Sequence, residues 1–190
     1  MVTDRVIGAF TFRKGVYAEV EKDTSFTTTA WILVAVVAFL NRLGSFASSS
    51  NWVFAAIVGT GSAILGFAVG VLIINWVGRT IFRAEVSFDE LVRTLGLAYV
   101  WQVVGVLGIL AAFSGALSYL LAPVQIMAWI LMIIAWLLAA KEALDLEWVQ
   151  AVITVILGWL AQFVIMTAVA ALVLGLFELG GAAMGGLLGS

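Results

Sequence analysis

The chain has 190 residues, of which 64% are hydrophobic and 11% are charged, whereas a soluble domain carries about 25% charged residues. This balance indicates a membrane protein, and the net charge of -2 leaves no basic surplus for binding nucleic acid. The sequence contains no histidine and no cysteine. Zinc sites, iron–sulfur clusters, His-ligated haem and Cys or His catalysis are therefore excluded, and we expect no cofactor.

The first element in chain order is a charged segment, 1–25, which we expect on the cytoplasmic side. Between Asp4 and Lys22, apolar side chains fall largely on one side of a helix: Val6, Ile7, Phe10, Tyr17 and Val20. This pattern predicts an N-terminal amphipathic helix that lies in the membrane interface. A solvated helix or a disordered tail is the alternative.

Four long stretches without a charged residue follow: 24–41, 43–78, 94–140 and 148–177. A helix needs about 20 apolar residues to cross the membrane. The third stretch has 47 residues and must fold back, at Ser114-Gly115 and Ser118, with Pro123 in the first turn of the next helix. The sequence therefore predicts five spans, at about 27–43, 52–77, 94–113, 119–140 and 148–177.

These elements predict an all-α, polytopic membrane bundle of five transmembrane helices over 26–177, followed by a flexible, Gly-rich tail over 178–190. Of the nine basic residues, only Arg42 falls at the far side of this arrangement. The positive-inside rule then predicts a bacterial cytoplasmic membrane protein with its N-terminus in the cytoplasm and its C-terminus outside. The basic residues that set this orientation are Arg5, Arg13, Lys14, Lys22, Arg79, Arg83, Arg93 and Lys141.

Two predicted loops on the cytoplasmic side carry helix-start signals. Ser87 and Glu90 have the spacing of a capping box, and Asp145 can cap the fifth span. Together with Asp89 and Glu147, these carboxylates could meet and hold a cation. Capping and solubility explain them better, and we expect no enzyme.

Small residues recur every fourth position in the second span, at Ser62, Gly66 and Gly70, and a shorter version lies at Ala171 and Gly175 in the fifth. Such stripes let a second helix approach closely. They predict a helix-packing interface, either within the bundle or with a partner. The pattern alone does not choose between the two.

Three deep amides are candidates for a polar core: Asn75, Gln102 and Gln162. Amides inside a membrane most often form hydrogen bonds between helices, worth about 0.6–2 kcal/mol each. We favour this structural role over a substrate site.

Several short segments carry a family resemblance: 5–10, 17–23, 28–30, 91–98, 141–145 and 158–159. In their order and spacing, the chain resembles the bacterial branch of the YIP-domain family over about 4–177. The resemblance implies five spans, a cytosolic N-terminus and a membrane-organising role without catalytic residues. Val100-Trp101-Gln102 stands where similar chains often have proline, and the Asp-Leu-Tyr-Gly-Pro motif of eukaryotic members is absent. Binding of Rab-type GTPases therefore does not carry over.

Taken together, these features favour a non-enzymatic scaffold, accessory or assembly subunit, for example in a respiratory or photosynthetic complex. It would bind another membrane protein, a second copy of itself or lipid, through the second span and the cytoplasmic helices. The rival is a small transporter, channel or lipid-handling protein. A transport role requires a polar path on which Gln102, Gln162 and Asn75 converge.

Overall fold

A computed structural model describes residues 1–165 and 167–168, and this part of the chain contains helices and no strand. The two N-terminal helices are short. The helices are α1 (Val2–Phe10), α2 (Val16–Lys22), α3 (Phe26–Ser45), α4 (Trp52–Ile81), α5 (Phe88–Phe113), α6 (Gly115–Leu144) and α7 (Trp148–Ile165). Ala171, Gly175, the end of the predicted fifth span and the tail 178–190 lie outside the described residues.

Five of these helices, α3 to α7, are long and apolar enough to cross a membrane. The predicted all-helical bundle with five candidate membrane-spanning helices is thereby confirmed for the described residues. The two longest, α4 and α6, have 30 residues each, or about 45 Å at 1.5 Å per residue. They exceed a hydrocarbon core of about 30 Å, so they tilt or extend beyond it.

Helix α5 is the centre of the bundle. It packs against α2, α3, α4 and α6, and every residue in the stretch 91–100 is buried. This stretch is apolar on nearly all sides, which is typical of a helix with protein around it. Most of the exposed apolar side chains lie on the outer helices α4, α6 and α7, for example Phe54, Leu65, Leu120 and Phe163, although Phe113 at the far end of α5 is also exposed.

The connection between α5 and α6 confirms the predicted break of the third stretch. Ser114 is extended, with φ -157° and ψ 131°, and its carbonyl oxygen accepts a 3.1 Å hydrogen bond from the backbone N–H of Ser118. The expected place of Pro123 is wrong, because α6 begins at Gly115 and contains the proline in its interior. Membrane helices tolerate an interior proline, since neighbouring groups and local adjustments satisfy the freed backbone carbonyl.

The middle of α5 is a 3₁₀ helix, Tyr99–Leu107, which no pattern in the sequence predicts. A 3₁₀ helix rises about 2.0 Å per residue, so this stretch is longer than the same residues in an α-helix. Here α5 lies closest to α3. A Cβ placed on Gly44 would overlap the carbonyl oxygen of Gly105, and one on Gly108 would lie 2.5 Å from the carbonyl oxygen of Gly44.

The N-terminal segment differs from the single interfacial helix that we expected. The chain turns between α1 and α2, where Phe12 has φ 51° and Gly15 has φ 81°, and glycine adopts the left-handed region without a Cβ clash. The apolar face of α2, formed by Val16, Tyr17 and Val20, is buried in the core of this same chain. The apolar face of α2 therefore contacts other helices of this chain, and an interfacial position of the N-terminal segment stays a prediction.

Helices α1 and α2 lie at one end of the bundle with the loops 82–87 and 145–147, which we call the basic end. At this end Gly78 of α4 lies against Leu144 of α6. The predicted capping box is confirmed: the Glu90 backbone N–H donates to Ser87 Oγ at 3.2 Å, and Glu90 Oε2 accepts from the Ser87 backbone N–H at 2.7 Å. Asp145 does not cap α7, because it ends α6 in the left-handed conformation, with φ 49°.

Candidate functional site

Arg93 fixes the N-terminal helices to the bundle. Its side chain lies in α5 and is 4% exposed. Its Nε donates to the carbonyl oxygens of Val20 at 3.0 Å and Glu21 at 2.9 Å, and its Nη2 also donates to Glu21. Its Nη1 donates to Thr27 Oγ1 of α3 at 3.1 Å. One side chain therefore joins α2, α3 and α5.

The chemistry of this contact follows from the end of α2. The last carbonyl groups of a helix have no donor within the helix, and a positive charge near them is favourable. Val20 and Glu21 belong to the last turn of α2, which ends at Lys22. A buried guanidinium is costly unless oxygen atoms surround it. Arg93 supplies donors to the Glu21 carbonyl and a second donor to the Val20 carbonyl, which also accepts from the Asp23 backbone N–H at 3.3 Å. The sequence analysis placed Arg93 just outside the predicted third span. An arginine directly beside the apolar stretch 94–98 could have indicated a buried, hydrogen-bonded side chain.

Trp101 of α5 provides a second, aromatic attachment. The ring of Phe10 packs edge-on against its indole at 5.0 Å between centroids, and the ring of Phe12 stacks on it at 5.6 Å. Aromatic pairs of this kind add about 0.5–1.5 kcal/mol each beyond burial. The indole N–H of Trp101 is buried and has no hydrogen-bond partner among the described residues.

Ion pairs hold the outer side of the same segment. Arg5 Nη1 lies 2.7 Å from Asp23 Oδ2, and Arg13 pairs with Glu19 at 2.7 Å. A hydrogen bond from Ser25, and then the one from Arg5, lowers the pKa of the Asp23 carboxyl. The hydrogen bond from Arg13 lowers the pKa of Glu19. These pairs are solvent-accessible, so each contributes little to the free energy of unfolding.

Glu21 experiences the opposite environment. Burial raises its pKa, and the nearby carboxylates of Asp145 and Glu90 raise it further. Burial alone raises the pKa of the Tyr17 hydroxyl, which has no hydrogen-bond partner within the described part of the chain. At the basic end, therefore, charged groups of α2, α5 and the loop 145–147 lie close enough to shift the pKa of Glu21, and Arg5 of α1 pairs with Asp23.

The predicted packing stripe on α4 is only partly used within the described bundle. Gly66 and Gly70 are buried, and Gln162 of α7 lies over them. The side-chain nitrogen of Gln162 donates to the carbonyl oxygen of Gly66 at 2.7 Å. Ser62 is exposed and donates to Val58 of its own helix at 3.3 Å. Among the described residues, the stripe therefore joins α4 to α7 at Gly66 and Gly70, while Ser62 is exposed.

The three predicted polar-core residues have separate partners. Gln162 bonds to Gly66, as above, and Asn75 donates to the carbonyl oxygen of Val86 at 3.2 Å. The backbone carbonyl of Gln102 accepts a 2.8 Å hydrogen bond from the side chain of Asn41. Gln102 also lines a cavity with neither Gln162 nor Asn75. The structure joins the glycine stripe to Gln162 but does not gather the three amides.

This cavity, of about 540 Å³, lies between α3, α5 and α6, towards the end of the bundle opposite the basic end. Its residues are uncharged, and Trp101 and Trp129 contribute two aromatic surfaces. The polar side chains along it are Asn41, Ser45, Ser48, Gln102, Ser118 and Gln125. Of these six residues, only Gln102 was predicted as a site residue, and it was expected to lie beside Gln162 and Asn75.

No protein-family model, curated protein or solved structure matches this chain. The class of protein defined by the fold is a five-span helical membrane protein. The resemblance to the YIP-domain family stays a prediction.

Proposed function

We propose that this chain is a non-enzymatic membrane scaffold, an accessory or assembly subunit that holds its N-terminal helices as a fixed platform for another membrane protein. The platform consists of α1, α2 and the adjoining loops of the basic end. It faces the cytoplasm of a bacterial cell, because the positively charged side of a membrane protein is the one that stays inside.

The docking of α2 by Arg93 is the observation that carries this proposal. Burying a guanidinium is costly in free energy unless backbone carbonyls accept its hydrogen bonds, and a tail that serves only solubility does not need such a contact. Phe10 and Phe12 add a second attachment on Trp101. These contacts give α1 and α2 one position on the bundle, which is the property that a binding platform requires.

The outward side of the platform suits a protein partner of mixed charge. Its exposed residues carry charges of both signs, with Asp4, Arg13, Lys14, Glu19 and Lys22. Ile7 adds an exposed apolar contact, because 56% of its surface is accessible. Interfaces of this composition combine an apolar contact with a polar, charged rim.

Transport is the weaker proposal. It depended on Gln102, Gln162 and Asn75 lining one path. Gln102 lines the cavity without the other two, and the side chains of Gln162 and Asn75 bond to the carbonyl oxygens of Gly66 and Val86. The resemblance to a family of membrane-organising proteins also favours a scaffold, although likeness of this kind is an analogy.

Extraction from native membranes in mild detergent tests the proposal. The protein is sized under native conditions, and co-migrating chains are identified by mass spectrometry. We expect a stoichiometric partner with the unaltered chain and with Arg79→Met, since Arg79 is exposed. Arg93→Met removes the donors to α2, and we expect the partner to be lost while the bundle stays folded. A chain that migrates alone, or a complex that tolerates Arg93→Met, would overturn the scaffold role.

A further inference from the structure

The cavity between α3, α5 and α6 has the size and chemistry of a ligand site. Its volume of about 540 Å³ falls within the range of roughly 300–1,000 Å³ that small-molecule sites occupy. The cavity shares Trp101 with the attachment of the platform, but its polar lining belongs to α3, α5 and α6, so a ligand here would add to the scaffold role. Its polar side chains are amides and hydroxyls without a charge, which points to an uncharged ligand.

The polar side chains form two levels. The hydroxyl level consists of Ser45, Ser48 and Ser118, near the end of the bundle. The amide level consists of Asn41, Gln102 and Gln125. On α6, the seven residues from Ser118 to Gln125 correspond to about 10 Å of depth. Beyond the amides the lining is apolar, with Ala128 and Met132, so the polarity of the cavity falls with depth.

One side of the cavity, at Trp129, lies on the outer surface of the described bundle. Trp129 lines it and has 61% of its own surface exposed. Trp101, which forms part of the wall beside the amide level, has a buried indole N–H without a partner among the described residues. A ligand can therefore enter from the membrane and keep an apolar part between the helices and the surrounding lipid.

We infer that this cavity binds an uncharged glycerolipid such as a diacylglycerol. Its free hydroxyl lies at the hydroxyl level, its ester carbonyls accept hydrogen bonds from the amide level, and its acyl chains leave past Trp129. Serine hydroxyls both donate and accept, and primary amides supply the donors that carbonyl oxygens need. Gln102 and Gln125 provide these amide donors, because Asn41 already donates to the Gln102 backbone carbonyl, and Ser45 accepts here, because its hydroxyl donates to the Asn41 carbonyl.

A phospholipid fits this cavity less well. A phosphate group is normally bound by arginine or lysine, which match its charge. The nearest arginine in the sequence, Arg42, turns away from the cavity and lies against Gly59 of α4. The lining therefore selects against an anionic headgroup as well as for an uncharged one.

A photoreactive diacylglycerol tests the inference on the full-length protein in lipid nanodiscs. Ala112 and Ala122 are both exposed, but only Ala112 lines the cavity. Ala112→Trp places an indole in the cavity, and Ala122→Trp is the matched control on the lipid-facing side. We expect mass spectrometry to find the label on cavity residues, with labelling reduced at least about tenfold by Ala112→Trp and changed less than about twofold by Ala122→Trp.

Competition identifies the ligand class. Unlabelled diacylglycerol should displace the label, whereas phosphatidylglycerol should not. Gln125→Leu keeps the side-chain size and removes one amide, so it should weaken labelling by diacylglycerol and leave labelling by a photoreactive hydrocarbon unchanged. Equal labelling of the two tryptophan variants would overturn the site. Equal competition by phosphatidylglycerol, or preferential displacement by a quinone, would overturn the glycerolipid assignment.

Discussion

The side-chain nitrogen of Asn41 donates a 2.8 Å hydrogen bond to the backbone carbonyl oxygen of Gln102. This bond joins α3 to the 3₁₀ stretch of α5 at the point where the two helices approach most closely. Asn41 also abuts Gly105, where any added Cβ would overlap its amide. The amide and the neighbouring glycines therefore act together, because close approach brings the donor within reach of the carbonyl.

Replacing Asn41 by leucine removes this bond and keeps a similar side-chain volume. We expect the free energy of unfolding to fall by about 1–2 kcal/mol, the upper part of the range for hydrogen bonds between membrane helices. Reversible unfolding in mixed detergent micelles measures the change. The control is Asn51→Leu, because Asn51 is exposed and makes no cap bond. Equal effects of the two substitutions would contradict a special role for Asn41.

Gly44→Ala should lower the stability of the protein more than the addition of one methyl group usually does. The added Cβ meets the backbone of Gly105, which cannot rotate away as a side chain can, and overpacking costs about 1–3 kcal/mol. Gly61→Ala is the matched control, since Gly61 has open space around it and alanine favours the helix by up to about 1 kcal/mol. The thermal midpoint in detergent should fall for Gly44→Ala and stay or rise for Gly61→Ala. The reverse order would contradict the close contact.

The docking of α2 should depend on pH through Glu21. Its pKa in the folded state lies above the ordinary value of 4.5, so its ionised form disfavours docking at neutral pH. Docking should strengthen as the pH falls through the raised pKa towards 4.5. Hydrogen exchange of the α2 amides measures this, and Glu21→Gln should remove the dependence. A profile that Glu21→Gln leaves unchanged would assign the effect to another group.

At lower pH the ion pairs act in the opposite direction. The pKa of Asp23 lies below its ordinary value of 3.8, so its contribution is present above that pH and disappears as the pH falls through the lowered pKa. Asp23→Asn should therefore reduce docking at pH 5 and have no effect once the carboxyl is protonated. Protection of the α1 amides from hydrogen exchange gives the readout. An equal effect of Asp23→Asn at pH 5 and at a pH below the lowered pKa would contradict the pairing.

The orientation can be tested with introduced cysteines, because the chain has none of its own. Lys14→Cys and Glu85→Cys lie on exposed positions at the basic end, and Ser49→Cys lies in the exposed loop between α3 and α4. A membrane-impermeant maleimide added to intact cells should label only Ser49→Cys. Labelling of Lys14→Cys in intact cells would reverse the proposed topology.

Local signals account for the parts of the fold that the sequence predicts. The five spans depend on uncharged length, the break at Ser114 on small polar residues, and the capping box on the spacing from Ser87 to Glu90. Each of these three signals lies within a short segment of the sequence, so it can be recognised without knowledge of the tertiary structure. Asp145 shows the limit, because a residue that suits a helix start also tolerates the left-handed conformation that ends one.

The contacts that define the candidate sites are distant along the chain. Arg93 is separated by 72 residues from Glu21, and Asn41 by 61 from Gln102. The 3₁₀ stretch from Tyr99 has no local signature in the sequence, and it lies where Gly44 of α3 approaches Gly105. Hydrophobic pattern gives the number of helices, whereas these pairings depend on the three-dimensional fit.

The burial of α5 has a consequence for biogenesis. The buried stretch 91–100 of α5 gains little from lying alone in lipid, because protein surrounds it and because it carries the guanidinium of Arg93. Its partners α2, α3 and α4 precede it in the chain, so they leave the ribosome first and offer both the groove and the carbonyl oxygens that it needs. Only the side that α6 covers stays open until the next span is made. We expect the helices to assemble in the order of their synthesis, so that α5 packs into a groove that the earlier helices have already formed.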